Sequence, residues 1–84
     1  MVEQKEEVIR PTEEEVKKAI LLILKDRKAY STSLNYAVGY CQNALRLSGE
    51  NLWTQVLYIL NNITHWRGEE HKSVRKTLKN YVER

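Results

Sequence analysis

The stretch Asn51-Leu52-Trp53-Thr54-Gln55-Val56-Leu57-Tyr58-Ile59-Leu60-Asn61-Asn62-Ile63-Thr64-His65-Trp66 decides the fold. Leu52, Val56, Ile59, Ile63 and Trp66 step by four, three, four and three residues, which keeps them on one face of an α-helix. Trp53, Leu57 and Leu60 form a second apolar stripe beside the first. A helix that is apolar on two sides is central in its bundle or covered by a partner, so this one is expected at the centre. The same step recurs at Val16, Ile20 and Ile23, at Leu34, Val38, Cys41 and Leu45, and at Val74, Leu78 and Tyr81. Four amphipathic helices, each with one face to bury, predict an all-α fold: a compact bundle of four short helices with short connections.

Local signals place the helix ends. Thr12-Glu13-Glu14-Glu15 reads as a capping box, with the Thr12 hydroxyl accepting from the Glu15 amide and the Glu15 carboxylate reaching back to the Thr12 amide. The first helix is expected over 13–27, with Lys25, Arg27 and Lys28 at its negative end. Ser31-Thr32-Ser33 supplies a cap for a second helix over 33–47, which Ser48-Gly49 ends; glycine there takes the left-handed conformation after a helix C-terminus. Asn51 or Ser48 caps the third helix, which runs to Trp66 and is closed by Gly68, and Glu69-Glu70 opens the fourth. Residues 1–11 read as a flexible acidic lead-in and 12–84 as one helical domain.

Composition narrows the function classes. Eighty-four residues with 42% apolar and 30% charged composition describe a single small globular domain, not a disordered chain. The apolar run 19–24 is far short of the roughly 20 residues that cross a bilayer. The N-terminus is acidic, without an apolar signal region, and Cys41 is the sole cysteine, so the chain reads as soluble and cytoplasmic. The run Ala29–Leu45 is uncharged and rich in Ser, Thr, Asn and Tyr. Phenylalanine is absent, so five tyrosines and two tryptophans carry the aromatic volume; each has a polar handle that seeks water or a partner, which places several at the edge of the core.

Chemistry-bearing constellations are few. His65 and His71 are six residues apart across a glycine and do not share a helix face, so no metal site is expected. Cys41 sits on an apolar stripe, as a buried structural cysteine does. The carboxylates gather at helix starts, where capping explains them; no glycine-rich phosphate loop occurs, and a bundle of this size has little room for a substrate pocket of about 300 Å³. No enzyme activity and no cofactor are therefore expected. The second and third helices do not make a DNA-reading helix-turn-helix. Ala44 is followed four residues later by Ser48, not glycine, and the segment in the recognition position is too apolar for a groove.

Three surfaces stand out. The block Asn61-Asn62-Ile63-Thr64-His65-Trp66-Arg67-Gly68 sets two poor helix formers beside a polar, aromatic and cationic group; Asn61, Asn62, His65, Trp66 and Arg67 read as a partner-binding patch in which Trp66 and Arg67 anchor a protein. Lys72, Arg75, Lys76 and Lys79 fall on one side of the fourth helix, in a segment with six basic and three acidic residues, and read alternatively as a phosphate-contacting strip for nucleic acid. Leu21 and Leu22 are surplus apolar surface on the first helix, which a homodimer would cover.

The stretch Leu34–Tyr81, with Leu57-Tyr58-Ile59-Leu60-Asn61-Asn62-Ile63 and His65-Trp66-Arg67-Gly68 as its core, resembles small uncharacterised helical proteins carried by phages and mobile elements. The resemblance covers about half of the chain and carries no functional residues with it. It implies a small intracellular accessory or regulatory protein that binds something larger. Together these readings point to a non-enzymatic protein that binds a protein partner, with nucleic-acid association as the alternative.

Overall fold

The computed structural model describes residues 10–83; residues 1–9, most of the expected lead-in, and Arg84 lie outside the described residues. Four α-helices form a small all-α bundle: α1 (Glu13–Lys25), α2 (Ala37–Ala44), α3 (Gly49–Asn61) and α4 (His71–Val82). Helix α1 packs on α2 and α4, and α3 packs on the same two. Every helix thus has two neighbours, and α3 is not the central element its two stripes predict. Trp53, Leu57 and Leu60 on its second stripe are only half-buried.

Helix α1 starts where the capping box predicts. The Glu15 amide donates to the Thr12 hydroxyl at 3.1 Å, and the Thr12 amide donates to the Glu15 carboxylate at 2.8 Å. Such a cap stabilises a helix by about 1 kcal/mol. The helix ends at Lys25, two residues early, because Asp26 leaves the helical region with ψ at 74°; a 3-10 turn over Arg27–Ala29 follows. The Tyr30 hydroxyl donates to the Leu24 carbonyl and ties this turn to the end of α1.

Helix α2 is shorter than predicted, beginning at Ala37 instead of Ser33 and ending at Ala44 instead of Leu47. Ser31, Thr32 and Ser33 do not cap it. Thr32 donates its hydroxyl back to the Ala29 carbonyl, and the backbone closes successive turns through Thr32, Leu34, Asn35 and Ala37. Side chains of this kind compete with the helix for backbone groups and hold the segment in turns. Its buried face is Leu34, Ala37, Cys41 and Ala44, one position round from the predicted Leu34, Val38, Cys41 and Leu45. Within the helix Ala37 and Ala44 are fully buried, whereas Val38 and Leu45 pack at the edge of the core.

Gly49 has the positive φ (59°) that its left-handed role requires, but it is the first residue of α3. Neither Ser48 nor Asn51 caps that helix with its side chain. The Glu13 carboxylate does so from α1, accepting from the Gly49 amide at 2.7 Å. A carboxylate at the positive end of α3 is favourable for the same reason as one at α1. Helix α3 stops at Asn61, five residues before the predicted Trp66. The Asn62 side-chain amide donates to the Tyr58 carbonyl at 2.7 Å and so competes for the helix's own acceptor. Helix α4 begins at His71, after Glu70 in a left-handed conformation with φ at 62°. Ile63 and Trp66 keep their places in the core although they lie outside the helix.

Candidate functional site

The block from Asn61 to Arg67 is chiefly a reversal of the chain that closes the bundle. Trp66 is 1% exposed and cannot anchor a partner; the stripe that predicts it as core on α3 and the patch that predicts it as an anchor compete, and burial wins. Its indole N–H donates to the Asp26 carboxylate at 2.8 Å, joining the end of α1 to the α3–α4 connection across forty residues of sequence. Gly68 lies against this bond. A Cβ there would come within 2.4 Å of the indole nitrogen and 2.6 Å of the Asp26 oxygen, so only glycine fits. The Arg67 guanidinium turns back on the carbonyls of Thr64 and Trp66. Of the five predicted patch residues, Asn61, His65 and Arg67 remain exposed, and Asn62 is half-buried.

The predicted basic strip divides in the same way. Arg75 donates to the carbonyls of Ile63, Thr64 and Trp66 in the connection that follows α3, and to His71 Nδ1 at 2.8 Å. It is a structural clamp, not a phosphate contact. Lys72, Lys76 and Lys79 remain exposed on α4. His71 accepts at Nδ1 and is held below its ordinary pKa by desolvation first, and then by Arg75, Arg67 and Lys72. Burial pushes the Cys41 thiol up to about 12, so it is an inert core group at neutral pH.

On α1, Leu21 is 52% exposed and Leu22 is half-buried. Leu22 borders two clefts, one of about 390 Å³ between the end of α1 and Glu69–Glu70 and one of about 400 Å³ along the seam with α4. By volume these exceed what the chain length alone predicts. They are open surface hollows, however, and the one at the α1 C-terminus mixes Lys25, Arg27 and Lys28 with Asp26, Glu69 and Glu70. Among the described residues no group of three or more His, Cys, Asp or Glu side chains is placed to hold a metal, and no helix is long and apolar enough to cross a membrane.

A surface that the sequence reading missed lies on α2 and α3. Tyr36 is 75% exposed, Tyr58 47% and Tyr40 37%. The rings of Tyr40 and Tyr58 pack at 5.5 Å between centroids and join the two helices, and buried Gln55 donates to the Tyr40 carbonyl at 3.1 Å beneath them. These contacts set the middle of α2 against the C-terminal half of α3, the half that leads to Asn61 and His65. A signal for this face was present in the sequence. The runs 29–45 and 51–66 hold no Asp, Glu, Lys or Arg, although these make up 30% of the chain. Only the first run stood out, as an uncharged segment whose exposure the spacing could not assign. With the fold and these surfaces described, the comparisons add no relative: no family model, no curated protein and no solved structure matches the chain.

Proposed function

We propose that this chain is a small, non-enzymatic interaction or regulatory protein of the cytoplasm, of the accessory kind that its resemblance to phage and mobile-element proteins implies. It binds a protein partner through the tyrosine face of α2 and α3. One observation carries the reading: three large aromatic side chains stand exposed on a helix pair that holds a single charged residue, Glu50. Tyrosine is a common anchor of protein interfaces because it offers a large amphipathic area and loses little rotamer freedom on binding. Asn61 and His65 extend the face beyond Tyr58, whereas Trp66 supports it from within. The nucleic-acid alternative loses its strongest element when Arg75 is engaged by backbone carbonyls, leaving three lysines for phosphate contacts.

Site-specific photo-crosslinking tests the reading. A benzophenone side chain placed at Tyr36 is expected to give a discrete protein adduct in cells, lost when Tyr58→Ser is introduced in the same chain. The same probe at Lys79, on the opposite helix pair, is expected to give none. Equal adducts at both positions, or none at Tyr36, would overturn it.

A further inference from the structure

We infer that the protein seated on the α2–α3 face is a second copy of this chain, in a two-fold dimer; this rests on that face being the protein-binding one. A two-fold interface uses the same patch on both copies, so residues near the axis meet themselves. Lysine and arginine only donate hydrogen bonds, and ionised carboxylates only accept them. Set against its own copy, each meets a like charge and an unmatched group. Hydroxyls and amides carry a donor and an acceptor together and can pair with themselves. The exposed positions are Tyr36 at the start of α2, Tyr40 and Asn43 on α2, and Tyr58 and Asn61 on α3, with Thr54 half-buried between them. Every one of these six has both functions; the charged Glu50 lies a turn before Thr54, at the edge of the patch.

Among the described residues no other face of this kind occurs. Leu21 is the other large apolar residue exposed among them, but Lys17, Lys18 and Lys25 surround it at helical spacing. A two-fold axis there would set lysines against lysines in chains that each carry a net charge of +3. The α2–α3 face is also pre-ordered, because Tyr40 and Tyr58 already pack on each other and lose less freedom on association. Its size sets the strength. Thirteen residues of α3 span about 20 Å, and two helices side by side are about 20 Å wide. That footprint, about 400 Å² on each copy, is below standard size and places the dimer among weak, transient interfaces, for which the range to test is a dissociation constant on the order of 10–100 µM.

Sedimentation of the full chain from about 5 µM to about 1 mM brackets that range. The expected result is a reversible monomer–dimer equilibrium. Tyr58→Lys should weaken it at least about tenfold, because it places two like charges near the axis. Leu21→Lys adds the same charge on the opposite face and should change it less than about twofold. Far-ultraviolet circular dichroism confirms that each variant is folded; if Tyr58→Lys is not, Asn61→Lys at the exposed end of α3 replaces it. A chain that stays monomeric at about 1 mM overturns the dimer; if the probe at Tyr36 then captures a different protein, the face itself stands as protein-binding. A dimer that survives Tyr58→Lys and is lost in Leu21→Lys moves the interface to α1 and overturns both readings.

Discussion

Helices α1 and α4 carry charge along their exposed sides, whereas α2 and α3 carry a single charged residue, Glu50. The two pairs share one core, so the contrast belongs to their outer surfaces and to the groups that hold their ends. On the charged pair and its connections, polar groups act as ties: Asp26 on Trp66, Glu13 on Gly49, Arg75 on the carbonyls of Ile63, Thr64 and Trp66. On the uncharged pair, polar and aromatic groups remain available on the outside. A polar residue in this chain is therefore informative only with its location. Where the chain reverses it closes the fold, and where two regular helices lie side by side it shapes a surface.

The contrast can be tested from its strongest element downwards. Trp66→Ala empties a core position and removes the indole bond to Asp26, and is expected to cost about 3–5 kcal/mol in a urea titration. Set against a typical total of about 5–15 kcal/mol, that leaves a small domain close to unfolding. A loss within about 0.5 kcal/mol, the range of an ordinary surface substitution, would return Trp66 to the surface. Gly68→Ala forces its methyl group into the Trp66–Asp26 bond and is expected to cost about 1–3 kcal/mol. Combined with Asp26→Ala it should add little, because both changes break the same bond; full additivity would show that they act separately.

Two neighbours on α4 sharpen the division between ties and surface. Arg75→Ala removes a charged donor shared by the Ile63 and Trp66 carbonyls and is expected to cost about 1–3 kcal/mol, whereas Lys76→Ala should stay within about 0.5 kcal/mol. Equal effects would erase the distinction. The smallest effect is expected from pH. The unfolded chain takes up a proton at His71 as the pH falls through about 6.5, while the folded chain resists, because its imidazole accepts from Arg75 and sits among cations. The unfolded state thus binds more protons in that window. Stability contributed by neutral His71 is full above it and is lost as the pH falls. The urea midpoint should decline from about pH 7.5 to about pH 5, and the decline should be shallower in His71→Gln.

Much of the fold was legible because burial leaves a periodic trace. Leu52, Val56, Ile59, Ile63 and Trp66 were readable as one inward face, and the capping box at Thr12 as a helix start, since both depend on residues within a turn or two of each other. Helix ends were read less well. At Ser31–Ser33 and at Asn61–Asn62 the side chains compete with the helix for backbone groups, and the winner depends on what the rest of the chain brings near. The candidate site was less legible still. Trp66 and Arg75 have the composition of binding residues, but partners forty and nine to twelve residues away hold them inside the structure.

The sequence by itself determined that this is an all-α bundle, that α1 begins at its capping box, and that the stripes Val16, Ile20, Ile23 and Leu52, Val56, Ile59, Ile63, Trp66 face the core. Those outcomes follow from interactions along one helix and from the single requirement that apolar faces leave water. Only the tertiary structure decided that Glu13 caps α3, that Gly68 must yield space to the Trp66–Asp26 bond, and that Tyr40 and Tyr58 pack on each other and, with Tyr36, stand exposed. The physical reason is the same in each case. A hydrogen bond or a surface shared between distant segments carries no periodic mark in the chain, because the groups become neighbours only once the helices have packed.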